Sequence, residues 1–447
     1  MISETPELER LAPSRSRRAD ATELEFQRLK TVIHEELIES LDLSLVAEID
    51  EAELGHEIHR LAQEICDSVG KRLSEATQQR MLEELLHEIF GFGPLEKLMQ
   101  DGTISDILVN GPHEVFVERE GKLEASEIVF ADEQHLMRII RRIVSRVGRR
   151  IDEVSPMVDA RLPDGSRVNA IVPPLALEGP KLSIRRFRAD LLGADRLVEN
   201  GTMRPEMMSF LAAAVEGRVN CLISGGTGAG KTTLLDALSG FVPSSERIIT
   251  IEDSAELLLQ HPHVVRLETR NANVEGSGET TQRDLVRNSL RMRPDRILVG
   301  EVRGPEALDM LQAMNTGHEG SLTTIHANDT RDALLRLEMM IAMTGLDLPI
   351  PVVRHYIASG IRLIVHLTRH RGGGRRITRI SEIVGLEDDG NYQVEDVFCF
   401  DPVSTDQSGP MQGSFRAAGY TPVCAKQIQT AGIPLDRGLF EARTFPV

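Results

Sequence analysis

Apolar positions between residues 22 and 92 recur every three or four residues, which is the spacing of amphipathic helices. Acidic residues are frequent at the polar positions between them, so we expect an acidic three-helix domain over residues 21–92. Residues 1–20 contain a Ser-Arg repeat and little apolar content, which predicts a disordered basic tail. The three apolar sets are Leu29, Ile33, Leu37 and Leu41, then Ile58, Leu61, Ile65 and Val69, then Leu82, Leu85 and Ile89.

Short β-rich runs bounded by turn residues replace the helical period after residue 93. They cover residues 104–110, 115–119, 167–172 and 181–187. An amphipathic helix is predicted between them from an apolar face at Leu136, Ile139, Ile140, Ile143 and Val147. These elements predict a mixed α+β module over residues 93–188. Residues 189–205 have no clear period and contain two glycines and one proline, which is typical of a linker.

Predicted strands alternate with predicted helices from residue 206 onward. Such alternation favours a mostly parallel sheet with helices on both faces, so we predict an α/β domain over residues 206–447, with a carboxyl-terminal extension. Two further β-rich runs, 363–367 and 376–383, flank a glycine-rich turn and predict an antiparallel hairpin. The alternating strands are 220–224, 247–252, 296–299 and 321–326, and the helices are 231–241, 281–291, 305–314 and 331–343.

Composition narrows the possible functions of the 447-residue chain. A formal net charge of −18 disfavours general binding to nucleic acid or to anionic lipid. No apolar run approaches the roughly 18 residues of a membrane span, and the amino terminus lacks the apolar core of a signal peptide. The four cysteines are scattered and have no histidine at zinc-ligand spacing, so we expect a reducing cytoplasmic compartment and no zinc.

A glycine-rich loop of the form G-x-x-x-x-G-K-T stands between a predicted strand and a predicted helix. Glycines let backbone N–H groups curl around an anion, and the following helix adds the positive end of its dipole. In such a loop Lys231 reaches the β- and γ-phosphates, and the Thr232 hydroxyl is a ligand for Mg²⁺. The predicted nucleotide-binding residues are Gly225, Gly226, Thr227, Gly228, Ala229, Gly230, Lys231, Thr232 and Thr233.

Carboxylates follow two of the predicted strands, at the sheet edge where α/β folds place their ligands. Glu252 ends the run 247–252, and Glu301 follows the run 296–299. Hydrolysis of a nucleotide needs one acidic group in the magnesium shell and another beside the attacking water, so both are candidates. His326 ends a further predicted strand, where it would sense or stabilise the γ-phosphate.

Four motifs, in this order, resemble the Walker A, Asp box, Walker B and His box of the type II/type IV secretion and pilus ATPase superfamily. They are GGTGAGKTT at 225–233, TIED at 250–253, ILVGE at 297–301 and TGHEGSLTTIHAN at 316–328. Upstream segments resemble the amino-terminal modules of the branch that powers tight-adherence (Flp-type) pili. These segments are FGFGPL at 90–95, ISDILVNG at 104–111 and LPDGSRVN at 162–169.

The resemblance implies a RecA-like P-loop ATPase domain that uses ATP and Mg²⁺, with Glu252 as general base and Glu301 in support of magnesium. It also implies a homohexameric ring in which arginines of the α+β module reach the phosphates, and Arg167 and Arg185 match those segments. By the same resemblance, the enzyme lies in the cytoplasm at the inner face of the inner membrane. There it would drive pilus assembly through a membrane platform protein, and the sequence does not distinguish extension from retraction.

Three alternatives stay open. The first is a type IV secretion ATPase that moves protein or DNA. Neither that branch nor the tight-adherence branch carries a four-cysteine zinc element. The acidic segment before residue 92 favours the tight-adherence branch. The second is a nucleic-acid helicase or translocase, suggested by the arginine-rich helix at 138–150. Tryptophan is absent and aromatics make up only 4% of residues, so stacking platforms for bases are scarce and we expect no nucleic-acid partner. The third is a ring that binds nucleotide without hydrolysing it.

Overall fold

The computed structural model describes residues 74–119, 121–187, 193–270, 272, 277–370, 374–402 and 413–446. It also describes single helical positions at Phe26, Leu29, Lys30, Val32, Ile33, His59, Arg60, Leu61, Gln63 and Glu64. The predicted tail over residues 1–20 lies outside the described residues, as do the first two predicted helices apart from those positions. The chain divides into two compact units, Met1–Phe187 and Arg188–Val447.

In its described part, the first unit contains a six-stranded antiparallel sheet with the strand order β3-β2-β1-β6-β5-β4. The apolar face of the helix α3 is buried in one cluster with side chains of β1, β5 and β6. These elements correspond to those predicted for the α+β module, and β3 and β4 are additional. The helices are α1 (Glu75–Phe90), α2 (Glu96–Gln100) and α3 (Glu133–Arg146), and the strands are β1 (Ile104–Gly111), β2 (Glu114–Arg119), β3 (Lys122–Ala125), β4 (Met157–Arg161), β5 (Arg167–Ile171) and β6 (Lys181–Arg185).

Helix α1 packs within the first unit, whereas we expected it in a separate helical domain. Glu88 on α1 is 4% exposed, and its Oε1 lies 2.9 Å from Nε2 of His135 on α3. The ammonium of Lys30 lies 3.2 Å from the same oxygen. A buried carboxylate needs partners of this kind, so the cluster ties α1 to α3. The structure therefore has no break between compact units at residue 92.

The second unit contains helices and strands in alternation, and no helix within the described ranges has the length and apolar content of a membrane span. Its helices are α4 (Ala194–Glu199), α5 (Pro205–Glu216), α6 (Lys231–Ser239), α7 (Gln282–Ser289), α8 (Glu306–Asn315), α9 (Thr330–Ala342), α10 (Ile350–Gly360) and α11 (Cys424–Thr430). Its strands are β7 (Cys221–Gly225), β8 (Ile248–Glu252), β9 (Val264–Glu268), β10 (Arg296–Val299), β11 (Leu322–His326), β12 (Leu363–Arg369), β13 (Arg375–Leu386), β14 (Tyr392–Pro402), β15 (Gly413–Ala417) and β16 (Arg443–Pro446).

One sheet joins these strands in the order β16-β15-β14-β13-β12-β7-β11-β10-β8-β9. The strands from β12 to β9 run parallel, and β13 to β16 extend the sheet by antiparallel pairing. Along β7, Cys221 and Ile223 belong to one apolar cluster and Leu222 to another, so both faces of the sheet are covered. The predicted α/β fold and the predicted hairpin of β12 and β13 are confirmed.

Part of the segment 189–205, which we predicted as a linker, is instead folded into the second unit. Helix α4 occupies Ala194–Glu199, and Leu197 and Met203 are buried in the same apolar cluster as α5. A helix of six residues presents one buried leucine to the core. That single position is too few to produce a helical period in the sequence, which explains the difference.

Candidate active site

The glycine-rich loop has the strand–loop–helix context that the motif requires. Strand β7 is buried along its whole length and ends at Gly225, and α6 begins at Lys231. Gly230 caps α6 with a left-handed backbone at φ +97°, which side-chain-bearing residues rarely adopt. A Cβ on Gly225 would lie 2.4 Å from the carbonyl oxygen of Leu367 on β12, so glycine is also needed for close packing.

Lys231 lies buried against the start of the loop. Its side-chain Nζ donates hydrogen bonds to the carbonyl oxygens of Gly225, at 3.0 Å, and Gly226, at 3.2 Å. Burial lowers the pKa of the Lys231 ammonium, while the nearby charge of Glu301 acts in the opposite direction. Thr232 and Thr233 follow in the first turn of α6 and are half-buried. The loop thus gathers one cation, two hydroxyls and a helix amino terminus.

Glu252 is a buried carboxyl at the end of β8, and its two oxygens have different surroundings. Its Oε2 accepts hydrogen bonds from the backbone N–H groups of Glu256, at 2.7 Å, and Leu257, at 2.8 Å. Its Oε1 is buried and has no hydrogen-bond partner in the described ranges of the chain. Burial raises the pKa of the Glu252 carboxyl to about 7, although the two backbone donors oppose that rise. Such a group exchanges a proton near neutral pH, as a general base must.

Glu301 stands two residues beyond the end of β10 and lies next to His326. The distance from His326 Nε2 to Glu301 Oε1 is 3.0 Å, although this oxygen has no hydrogen bond of good geometry. Its Oε2 accepts a hydrogen bond of 2.6 Å from the Arg303 guanidinium. Burial lowers the pKa of His326, which favours a neutral imidazole.

Four neighbouring parallel strands bring these groups to one edge of the sheet. The strand order is β7-β11-β10-β8, and His326 on β11 pairs in register with Gly225 on β7. The segment that carries Glu301 is fixed on both sides, because Gly300 N–H donates to the β8 backbone and Val302 N–H donates to the β11 backbone, both at 2.9 Å. The structure therefore brings Lys231, Glu252, Glu301 and His326 to the predicted sheet edge.

Arg167 and Arg185 lie in the first unit, on the adjacent strands β5 and β6. They pair in register with each other across the sheet. Arg167 forms an ion pair of 2.8 Å with Asp159, and Arg185 forms one of 3.2 Å with Asp106. Their contact with a nucleotide stays a prediction.

His366 on β12 is a buried polar residue near the loop that the sequence reasoning did not identify. Its Nδ1 lies 2.9 Å from the hydroxyl of Ser224, with which it pairs in register across β12 and β7. Burial lowers its pKa. Since this pairing joins residues 142 positions apart, local periodicity does not show it. The available signal was a histidine inside an otherwise apolar strand.

The acidic groups at this edge suit a hard divalent cation that also binds phosphate. Oε1 of Glu252 and Oε1 of Glu301 are both buried without hydrogen bonds to any residue that the structure describes, and carboxylate oxygens are ligands that Mg²⁺ prefers. The described part of the chain holds no cluster of three or more His, Cys, Asp or Glu residues that would bind a metal alone. Mg²⁺ commonly takes only one or two protein ligands and completes its shell with water and phosphate, so Thr232 and Glu301 fit it.

Comparisons with known proteins identify the family of the chain. The model of the type II/IV secretion system protein family matches residues 88–407. A putative conjugal transfer protein of Mycobacterium tuberculosis is 40% identical over 342 residues, covering 75% of this chain and 96% of that protein. The type IV secretion system protein VirB11 of Brucella suis is 32% identical over 320 residues, covering 65% and 89%. The crystal structure of the Brucella suis VirB11 ATPase in complex with sulphate matches 66% of this chain and 96% of that one, at 30% identity and a TM-score of 0.36. Since the family match spans well over half of its length, the chain belongs to the type II/IV secretion system protein family, as its motifs predicted.

Proposed function

We propose that the chain is an ATPase that hydrolyses MgATP to drive assembly of a tight-adherence, type IV-like pilus. The observation that carries the enzymatic part is Glu252, a buried carboxyl of pKa about 7 at the same sheet edge as the phosphate loop. A carboxyl with these properties accepts a proton from water at neutral pH. Membership of the secretion family supports the coupling of this chemistry to a membrane-associated machine.

In this mechanism, backbone N–H groups of the loop and the Lys231 ammonium hold the β- and γ-phosphates. A water attacks the γ-phosphorus, the bond to the β,γ-bridging oxygen breaks, and ADP and phosphate leave. Oε1 of Glu252, which has no hydrogen-bond partner among the described residues, accepts a proton of that water. Thr232 and Glu301 would hold Mg²⁺, which when bound would offset charge on the phosphate oxygens. Arg303 holds Glu301 through its hydrogen bond to Oε2, and His326 senses or stabilises the γ-phosphate.

The assembly of the working enzyme is also part of the proposal. We expect a homohexamer in which Arg167 and Arg185 of the α+β module reach the phosphates, because charge on a transferring phosphoryl group needs cations that can approach and withdraw. We expect the ring to lie at the inner face of the inner membrane, where it acts on a pilus platform protein. The upstream motifs at 90–95, 104–111 and 162–169 support this branch.

A type IV secretion ATPase that translocates protein or DNA is the second candidate. It is favoured by the similarity to the conjugal transfer protein of Mycobacterium tuberculosis and to VirB11 of Brucella suis. A strain that lacks the gene separates the two candidates. Loss of surface pili with normal substrate transfer supports the pilus assignment, and the reverse pattern supports secretion.

Phosphate release by purified, assembled protein with MgATP tests the enzymatic part. We expect turnover in the wild type and none in Lys231→Ala, which removes the loop cation. Restoring wild-type protein, but not Lys231→Ala, should restore the phenotype of the deletion strain. Failure of the wild type to bind adenine nucleotide would overturn the proposal.

A further inference from the structure

The β12–β13 hairpin runs alongside the glycine-rich loop. Strand β12 pairs parallel with β7, with Leu367 opposite Gly225, the last residue of β7. Arg369 follows two residues later, beyond the end of β7. Its register partner on the returning strand β13 is Arg375. Two arginines of the same domain are therefore placed on the loop side of the sheet edge.

Both arginines lie against the middle of the loop. The Arg375 Nε donates a hydrogen bond of 2.8 Å to the carbonyl oxygen of Gly228. Its Cδ would be 3.2 Å from a Cβ on Gly230, and Nη1 of Arg369 would be 2.8 Å from a Cβ on Gly228. Both side chains also have other polar contacts, so the case for a ligand rests on where they lie and not on a lack of partners. The two glycines thus leave room for the two arginine side chains beside the loop.

We infer that Arg369 and Arg375 are phosphate-binding residues, which add two cations to the loop from the hairpin of the same chain. This inference rests on the proposed function. Like charges directly opposite on antiparallel strands destabilise a hairpin, and a polyphosphate beside both would offset that repulsion. Guanidinium groups also match the oxygen geometry of phosphates through paired hydrogen bonds. The ligand class is therefore a nucleoside di- or triphosphate.

Equilibrium binding of MgATP, MgADP and AMP to the full-length protein tests this assignment, by competition with a fluorescent ATP analogue. The variants are Arg369→Ala and Arg375→Ala. We expect each to weaken ATP binding by about tenfold or more, since a charge-assisted hydrogen bond to phosphate is lost. The loss should be larger for ATP than for AMP, because AMP lacks the phosphates that these side chains would bind. Arg369→Lys and Arg375→Lys keep the cation and should recover part of the lost ATP affinity, whereas a purely structural role of the guanidinium would not be rescued, and no recovery overturns the inference.

The matched control is Arg416→Ala, which removes an arginine on β15 that pairs with Asp401 at 3.0 Å. It should bind all nucleotides as the wild type does. If an alanine variant unfolds, Arg369→Gln or Arg375→Gln, which keeps the methylene groups of the side chain near the backbone and a polar end but removes the charge, is measured instead. Unchanged ATP affinity, or an equal loss for ATP, ADP and AMP, overturns the inference. A wild type that binds no nucleotide instead overturns the proposed function, so the two failures differ.

Discussion

Replacing Glu252 by glutamine tests the central chemical assignment through stability as well as through rate. Glutamine keeps the shape of the protonated carboxyl, and its amide oxygen still accepts from the two backbone N–H donors. The folded carboxyl has a pKa of about 7 against an ordinary 4.5, so the wild type loses stability as pH rises between these values. The difference corresponds to about 3 kcal/mol. We therefore expect Glu252→Gln to match the wild type at about pH 4 and to exceed its stability by about 3 kcal/mol at about pH 8.

The same substitution should lower kcat by at least roughly 100-fold, because it removes the proton acceptor, while ATP binding persists. Urea unfolding from pH 4 to 8 and phosphate release at pH 8 measure the two effects. The matched control is Glu268→Gln, which changes an exposed glutamate that pairs in register with Glu252 on β9. It should leave both quantities near wild type. A stability difference that does not grow with pH, or normal turnover in Glu252→Gln, would refute the reasoning.

Three further substitutions test neighbouring features. Lys231→Ala should leave the circular dichroism spectrum unchanged and abolish ATP binding in a titration, since it removes the only charge of the loop sequence 225–233. Asn220→Ala should destabilise the chain by at least about 3 kcal/mol in urea unfolding, because its side chain donates to two backbone carbonyls and accepts from two backbone N–H groups in the core. Glu382→Gln should speed proteolysis of the carboxyl-terminal segment and cost about 2 kcal/mol, because one of the three donors to this buried carboxylate then faces an amide NH₂.

The sequence predicted where Glu252, Glu301 and His326 lie because each stands at or just beyond the end of a strand of its own, whereas their chemical roles stay predictions. The strand before Gly225, the helix after Lys231 and the carboxylate after β10 are all local patterns that periodicity and turn residues indicate. In a parallel sheet, strand ends of this kind meet at one edge. Local information was therefore enough to predict that Glu252, Glu301 and His326 lie together.

Residues that support the site were not predictable in this way, because they depend on which strands pair. His366 reaches Ser224 only since β12 joins β7. The helix α4 had too few buried positions to give a period, and the last 45 residues gave no pattern although they contain α11 and β16. Buried Glu382 fixes the start of α11, since it accepts from Tyr420 and from the backbone N–H groups of Val423 and Cys424.

Strand β12 connects the antiparallel strands of the sheet to the strand that precedes the phosphate loop. Strand β12 contacts the phosphate-loop strand directly, and β13, β14 and β15 follow outward through continuous pairing. Any displacement of the hairpin arginines toward a bound phosphate would therefore act on strands that lie outside the nucleotide motifs. In the proposed mechanochemical enzyme, free energy from nucleotide binding and hydrolysis at one sheet edge must reach a surface that contacts another protein. Glu382 lies on β13, within these outer strands. We therefore expect Glu382→Gln to lower pilus assembly or substrate transfer by a larger factor than it lowers phosphate release.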